Sequence, residues 1–310
     1  MSLPAVGGGR DTPKHHTRFN DDSDRREHTK MTAPTVLNYY GSKHRAAARI
    51  VDLLPDHQGY VEPYAGSLAV LLAKPPRAGR FETVNDLDQD LMTFWRILRD
   101  QPQDLERVCA LTPHSRTEYA NSWPIPDDIT DLERARRVWV KLSQGRGGQL
   151  RPTGWRYHEQ AHGRSSSMPR TLMGYTGRFA EVADRLQHVS LECRPALDII
   201  DRYGRDPQTL LYVDPPYLMS TRSRTGYRHE MHRDDEHAEL ADALQRANAA
   251  VVLSGYRSPL YDTLYEGWHT AEISAFTGQA NGGREGGSRV EVLWSNRPLG
   301  GTPTLMEATS

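Results

Sequence analysis

The chain has 310 residues, with 39 Lys or Arg, 40 Asp or Glu and a net charge of −1, so one large domain or two with a sizeable core are expected. Its two cysteines, Cys109 and Cys193, lie far apart and form no C-x-x-C pair. This excludes a disulfide framework and a cysteine-based zinc site, and it indicates a reducing, intracellular setting. The longest wholly apolar run, residues 68–73, is too short for a membrane span or a signal-peptide core, so we expect a soluble protein.

The near-zero net charge hides a strong local asymmetry. Residues 81–133 contain twelve Asp or Glu and four Arg, whereas residues 134–178 contain ten Lys or Arg and a single acid, Glu159. One concentrated basic segment in a near-neutral protein indicates an anionic partner that is met by one face.

The chain begins with residues 1–33, which are polar, charged and rich in Gly, Asp and Arg, so we expect a disordered N-terminal extension. Met31 is a candidate alternative start, because ordered-looking sequence begins just after it. From there the pattern predicts a helix at residues 45–54, a strand at 59–61, a second strand at 81–85 and an amphipathic helix at 86–100. Two strand-then-helix units in a row predict a parallel sheet with crossover helices.

Residues 101–178 interrupt this pattern with Pro, Gly, Arg and Ser, which predicts an inserted, partly helical domain. The α/β pattern then resumes with helices at 179–186, 196–203, 234–248 and 259–265 and strands at 189–193, 210–213, 249–254, 268–273 and 290–294. We therefore predict an α/β domain of residues 34–100 and 179–300, a separate insert of residues 101–178, and a flexible tail of residues 301–310.

Two acidic and glycine-containing segments follow the first two strands. In "YVEPYAGSLAV", residues 60–70, the Gly66-Ser67 turn lets a ligand approach the backbone closely, as in dinucleotide sites, although a tight structural turn is the alternative. Leu68 stands where a second glycine would be, which disfavours a nicotinamide cofactor. In "VNDLDQDL", Asp86 at the strand tip suits the ribose hydroxyls of a nucleoside-containing cofactor; Asp88 and Asp90 compete as first-turn helix acids.

The stretch "LLYVDPPYLMS", residues 210–220, places a carboxylate, two prolines and a tyrosine directly behind a buried strand. Proline cannot donate to a strand ladder, so a plain strand stop is one interpretation. The other is a stiff loop at the carboxyl edge of the sheet, where α/β proteins bind ligands.

Four motifs in order carry a family resemblance: "YYGSK" (39–43), "EPYAGS" (62–67), "NDLDQDL" (85–91) and "DPPY" (214–217). The sequence resembles the DNA adenine-N6 methyltransferases of the Dam type over about residues 36–298, faintly in the insert. The resemblance implies a Rossmann-like methyltransferase fold, with a mostly parallel twisted sheet, helices on both faces and an inserted, mainly helical target-recognition domain. It also implies site-specific methyl transfer from S-adenosylmethionine to the N6 amine of adenine in DNA after base flipping, without a metal.

The resemblance also implies roles for individual residues. The Asp214 carboxylate and the Pro215 carbonyl would accept the two hydrogens of the adenine amine, Pro216 would help to hold that carbonyl, and Tyr217 would stack on the flipped base. Residues implied to contact the cofactor are Tyr40, Lys43, Glu62, Pro63, Ala65, Gly66, Asp86 and Asp198. Glu62, Ala65 and Gly66 would lie near its methionine part. Asp86 would lie on its ribose, and Asp198 on its adenine unless that residue is a plain helix-surface acid.

The basic insert is the expected reader of double-stranded DNA. Residues 134–158 interleave arginines with Trp139, Trp155 and Tyr157, although a basic helix and loop without base contacts is the alternative. The candidate DNA contacts are Arg146, Arg151 and Arg156, together with Tyr227 and Arg228 of the loop after the "DPPY" motif. Arg284 and Arg289 are either phosphate contacts or ordinary solvated charges. The recognised sequence stays open.

Other functions are less favoured by the same residues. A cytosine-C5 methyltransferase needs a Pro-Cys nucleophile, and neither cysteine follows a proline. Cytosine-N4 methylation, methylation of RNA or of a protein glutamine, and a catalytically silent DNA-binding protein of the same fold stay open as alternatives.

We expect a monomer, or a dimer on DNA, with no membrane contact, in the cytoplasm of a prokaryotic or phage-infected cell and associated with the nucleoid. A role in restriction-modification, phage defence against it, or regulation is not distinguished.

Overall fold

The computed structural model describes residues 34–77, 79–157, 167–218, 228–274 and 290–300. The predicted N-terminal extension and C-terminal tail lie outside these residues, as do Met31, Tyr227, Arg284 and Arg289.

Seven strands form the central sheet within the described residues. They are β1 Gly59–Glu62, β2 Glu82–Asn85, β3 Val189–Glu192, β4 Thr209–Val213, β5 Ala250–Gly255, β6 His269–Ser274 and β7 Val290–Ser295. Their order is β3-β2-β1-β4-β5-β7-β6; β1 to β5 are parallel, and β7 runs antiparallel to both β5 and β6. The strand order reverses between β1 and β4: from β1 the chain continues outward to β2 and β3 on one side, and then returns to β4 and β5 on the other side. Parallel sheets form a ligand crevice at such a point. The predicted mostly parallel Rossmann-like methyltransferase fold is confirmed.

The helices are α1 Ala47–Leu53, α2 Ala69–Ala73, α3 Gln89–Asp100, α4 Pro102–Ala110, α5 Arg116–Asn121, α6 Asp131–Gln144, α7 Met168–Thr176, α8 Phe179–Leu186, α9 Ala196–Tyr203, α10 Asp234–Gln245 and α11 Pro259–Leu264, with a 3-10 turn at Arg146–Gly148. Local sequence sets their ends. Asp88 caps α3 by accepting the backbone N–H of Leu91 at 3.1 Å. Gln101, which precedes Pro102, is not helical, so α3 ends there and α4 begins. None of the helices in the described part of the chain is long and apolar enough to cross a lipid bilayer.

Both faces of the sheet are buried, because successive strand residues point to opposite sides. Along β4, Leu210 and Tyr212 belong to one hydrophobic cluster, whereas Leu211 and Val213 belong to the other. Helices therefore cover both faces, as predicted.

The helices of residues 102–176 share the first of these clusters with the sheet. α6 packs along α3, and Val138, Trp139 and Leu142 are fully buried together with Phe94 and Trp95 of α3. The part of the chain predicted as an insert is thus attached to the sheet through a continuous core.

Candidate active site

A cavity of about 300 Å³ lies at the carboxyl ends of β1, β2 and β4. This volume is at the lower end of those of small-molecule sites, and the position is the crevice expected from the strand order. All four sequence motifs reach it. The predicted residues that line it are Tyr40, Lys43, Glu62, Pro63, Ala65, Gly66, Asp86, Asp214, Pro216 and Arg228.

An ion pair joins the first motif to the last across 171 residues of sequence. The Lys43 ammonium donates to both Asp214 carboxylate oxygens at 2.8 and 2.7 Å, and to the Gly41 carbonyl at 3.2 Å. Burial raises the pKa of Asp214 to about 6, although the neighbouring Lys43 ammonium opposes this. Burial alone would lower the pKa of Lys43, but Asp214 and Glu291 outweigh it and the pKa is raised. Both groups are therefore charged at neutral pH.

Glu291 on β7 is a buried carboxylate that the sequence analysis did not select. It accepts hydrogen bonds from the Tyr217 hydroxyl and, at 2.6 Å, from the Ser254 hydroxyl, and its Oε1 lies 3.6 Å from the Lys43 ammonium. The signal was present in the sequence as one acid within the otherwise apolar segment "VEVLW". Glu291 thus connects Tyr217 to the Lys43–Asp214 pair.

Tyr217 is held by protein contacts on several sides. Its ring centre lies 4.7 Å from the Lys43 ammonium and 4.7 Å from the centre of the Tyr256 ring, and the residue is 7% exposed. Tyr217 and Pro215 are not among the described residues that line the cavity. The Tyr217 ring is therefore packed edge-on against Tyr256, and its hydroxyl belongs to the polar network of Glu291.

Asp86 ties the tip of β2 to the loop after β1. It accepts the backbone N–H of Gly66 at 3.0 Å and that of Asp88 at 3.0 Å, and burial raises its pKa to about 6. An ionised carboxylate offers about four lone-pair sites, so two acceptor sites are left after these bonds. Asp86 can therefore hold the loop and bind a hydroxyl group at the same time.

The loop itself depends on two unusual backbone positions. Gly66 has φ +48°, and a Cβ there would lie 3.1 Å from the Tyr39 ring, so Tyr39 packing requires the glycine. Leu68, which stands in place of a glycine, has φ +57° and is fully buried. The left-handed backbone conformation that glycine adopts freely is thus present at residue 68 without the glycine.

Glu62, at the end of β1, faces the cavity from a buried position. It is 2% exposed and accepts the Tyr60 hydroxyl at 2.7 Å. Burial raises its pKa to about 8, so the side chain is mostly protonated at pH 7. The cavity therefore contains a carboxyl group that can lose a proton when a cation arrives.

Asn85 is a second residue that sequence reasoning missed. Its side-chain amide donates to the carbonyls of Pro63 at 2.9 Å and Arg194 at 3.0 Å, and its Oδ1 accepts the Arg194 N–H at 2.8 Å. Asn85 therefore fixes the ends of β1 and β2 and the loop before α9 relative to one another.

Asp198 lies on the first turn of α9 and is exposed. It is not among the described residues that line the cavity; Pro195, Ala196 and Leu197 of the same segment are. The predicted contact of Asp198 with the cofactor stays a prediction: the residue lies at the surface, and its neighbours line the cavity.

The predicted DNA contacts occupy different surroundings. Arg228 donates to Asp88 at 3.1 Å and Asp90 at 2.8 Å, close to the cavity. Arg146 is exposed and donates to the Trp155 carbonyl at 3.2 Å, while Arg151 donates to Gln149 at 2.8 Å. The Arg156 backbone N–H donates to the Gln144 carbonyl at 2.7 Å. Arg146, Arg151 and Arg156 are not among the described residues that line the cavity.

The sheet order, with the "DPPY" sequence directly after β4, defines a Rossmann-like methyltransferase fold. The family model of the D12 class N6 adenine-specific DNA methyltransferases matches residues 39–124 and 176–278, which together make up more than half of the chain. The chain belongs to this family and is an adenine-specific DNA methyltransferase, as the resemblance implied. The match omits residues 125–175. A search of curated proteins found no match.

Proposed function

We propose that the protein transfers a methyl group from S-adenosylmethionine to the N6 amine of an adenine that is flipped out of double-stranded DNA. The observation that carries this proposal is the cavity at the β1–β4 crevice, with the Asp214 carboxylate on its wall. When bound, the cofactor supplies an electrophilic methyl group on a sulfonium.

The charge of the cavity fits a cationic cofactor. Among the described residues, its lining contains two cations, Lys43 and Arg228, and seven acidic side chains, of which Glu62 is mostly protonated at pH 7 before the cofactor binds. The acidic residues are Glu62, Asp86, Asp88, Asp214, Glu230, Glu236 and Glu239. Glu62 would hold the methionine ammonium, and Asp86 would accept a ribose hydroxyl through an acceptor site that Gly66 and Asp88 leave open.

Asp214 would act on the amine of the target base. The amine nitrogen is a poor nucleophile because its lone pair is delocalised into the ring. If Asp214 and the Pro215 carbonyl accept its two hydrogens, the nitrogen pyramidalises and its lone pair becomes available. Methyl transfer would form the N–C bond as the bond between the methyl carbon and the sulfonium sulfur breaks, with the electron pair of that bond left on sulfur. It would leave one proton in excess on the nitrogen, and the ionised Asp214 would be the neighbouring acceptor.

A base must leave the duplex to reach the Asp214 carboxylate in the cavity, since enzymes that react at a base generally extrude it. The protein would act as a monomer or as a dimer on DNA, in the cytoplasm of a prokaryotic or phage-infected cell and at its nucleoid.

The test is to incubate the purified protein with tritiated S-adenosylmethionine and unmethylated duplex DNA, digest the DNA to nucleosides and identify the labelled one. Label in N6-methyl-2′-deoxyadenosine is the expected result. Label in N4-methyl-2′-deoxycytidine would replace the adenine assignment with the cytosine one. Unlabelled DNA, from protein that still binds the cofactor, would overturn the proposal.

The role of Asp214 has a separate test. Asp214→Asn should lower kcat by at least about a hundredfold, because the amide is a weaker acceptor, and leave the cofactor Kd nearly unchanged. Asp201→Asn, an exposed acid of α9 that pairs with Arg205 at 2.6 Å, is the matched control and should change neither value. A full kcat in Asp214→Asn would exclude the proposed mechanism.

A further inference from the structure

Three rings form a stack beside the 3-10 turn at Arg146–Gly148. The His114 and Trp155 ring centres lie 4.4 Å apart with planes inclined by 23°, and those of Trp155 and Tyr157 lie 5.3 Å apart with planes inclined by 17°. All three residues are partly exposed. We call His114, Trp155 and Tyr157 the ring stack.

Two arginines lie against the ring stack. The Arg116 guanidinium is 5.0 Å from the Trp155 ring centre and 5.2 Å from that of Tyr157, and the Arg146 guanidinium is 5.6 Å from that of Tyr157. Both arginines are exposed. A guanidinium can lie against a ring with its face while its N–H edge binds another group. Arg146 uses its Nε–H for the Trp155 carbonyl, which leaves its two terminal amino groups as donors.

Ion pairs distinguish these two arginines from the arginines of α6. On α6, Arg134 pairs with Asp90 at 2.7 Å, Arg136 with Glu118 at 2.5 Å and Glu133 at 2.6 Å, and Arg137 with Glu133 at 2.8 Å. Arg116 and Arg146 form no ion pair with a carboxylate of the described residues. The α6 arginines are therefore compensated within the protein, whereas within the described residues Arg116 and Arg146 keep their positive charge available to a partner.

The ring stack is connected to the rim of the cavity. Trp155 forms an isolated β-bridge with Gly145, and three residues further on the Gly148 carbonyl accepts the backbone N–H of Tyr40 at 2.8 Å. Gly148 has φ +64°, and a Cβ there would overlap the Asn38 carbonyl, so the turn lies directly on the first motif. Tyr40 lines the cavity. A duplex whose base enters the cavity thus passes close to the turn that carries Arg146.

We propose that the ring stack with Arg116 and Arg146 is a phosphate-binding surface that holds the DNA backbone beside the target adenine. The inference rests on the proposed function. A guanidinium whose face is covered by a ring keeps the planar edge that matches two phosphate oxygens. Phosphate contacts position the duplex and carry no sequence information, so the role assigned to Arg116 and Arg146 is positioning of the substrate.

The test is the affinity for a fluorescent 20-base-pair duplex, measured by anisotropy without cofactor between about 50 and 200 mM salt. Arg116→Ala and Arg146→Ala should each reduce the slope of log affinity against log salt by about 1. Over this fourfold salt range the affinity of each variant should therefore fall by a factor about fourfold smaller than that of the wild type. Arg137→Ala, which removes an arginine already paired with Glu133, is the matched control and should leave the slope unchanged.

Trp155→Leu separates the ring from the charge. It keeps both arginines, so the slope should stay at the wild-type value while the affinity falls about two- to fivefold through the lost cation–π contacts. Circular dichroism of each variant establishes that the fold is retained.

Unchanged slopes in both arginine variants would overturn the phosphate-binding surface. So would an affinity loss confined to one DNA sequence, which would mark base contacts, or a loss seen only with duplex RNA. The proposed function fails separately, because it is read from the labelled nucleoside and this surface is read from binding without cofactor.

Discussion

Glu62 should lose its proton when S-adenosylmethionine binds. The side chain is buried at the end of β1, and its pKa is raised to about 8 by burial, against the effect of the hydrogen bond from Tyr60. A cationic ammonium group placed beside a carboxyl group favours the ionised form. Binding of the cofactor and ionisation of Glu62 should therefore be coupled.

The size of the effect follows from the pKa. A group of pKa about 8 is about nine-tenths protonated at pH 7, so binding should release up to about 0.9 proton if the pKa falls to its ordinary range. At pH 9 the same group is about one-tenth protonated, and the release should nearly vanish. The cofactor affinity should rise by close to tenfold per pH unit from about 6 to 7 and level off above 8.

The assay is calorimetric titration of the protein with the cofactor at pH 7, in two buffers whose enthalpies of ionisation differ. The difference in apparent binding enthalpy gives the number of protons released. Asp86, whose pKa is raised to about 6, is mostly ionised at pH 7 and contributes little there.

Glu62→Gln should abolish the buffer dependence, because glutamine has no proton to release. Tyr60→Phe removes the hydrogen bond that lowers the pKa of Glu62, so this variant should release more protons than the wild type at pH 8. Equal enthalpies in both buffers with the wild-type protein would refute the coupling.

Two further variants probe Glu291, which sequence reasoning missed, and Leu68, which stands in place of a glycine. Glu291→Gln removes the charge next to Lys43 and weakens the acceptor of the Tyr217 and Ser254 hydroxyls, so kcat should fall about ten- to a hundredfold with the cofactor Kd unchanged. Ser254→Ala, which removes one donor only, should lower kcat less than Glu291→Gln does. A wild-type kcat in Glu291→Gln would argue against a positioning role for Glu291. Leu68→Gly removes the strain of a left-handed backbone, which destabilises the fold by about 1–2 kcal/mol. It also removes a buried side chain, which stabilises the fold by about 2–5 kcal/mol. Urea unfolding should show a net loss of about 1–3 kcal/mol; a more stable variant would contradict this balance.

The sheet could be predicted from the sequence because its strands are short apolar runs bounded by turns and separated by amphipathic helices. The residues at strand tips, Glu62, Asp86 and Asp214, followed from the same pattern, since parallel strands end at one edge. These three line one cavity.

The pairings within the site could not be predicted in this way. Lys43 and Asp214 are 171 residues apart, and nothing in their spacing indicates an ion pair. Glu291 belongs to the last strand, whose position between β5 and β6 depends on the strand order. A pattern of hydrophobicity reports which face of an element is buried, but not which charged groups meet across elements.

The basic segment illustrates the same limit. Its ten Lys or Arg residues look alike in sequence, yet Arg136 and Arg137 share Glu133 whereas Arg146 lies against Tyr157. Composition gives the total charge of a segment, and only the tertiary contacts decide how much of it reaches a partner.

The ion pair between Lys43 and Asp214 fixes the orientation of the carboxylate before any substrate arrives. Asp214 is 18% exposed, and the lysine binds both of its oxygens. Most of the free energy of dehydrating this carboxylate is therefore incurred during folding, and the lysine offsets it there. If Asp214 accepts the adenine amine as proposed, the base would meet an acceptor that is already largely desolvated and oriented, so little solvent reorganisation would be left for the encounter itself.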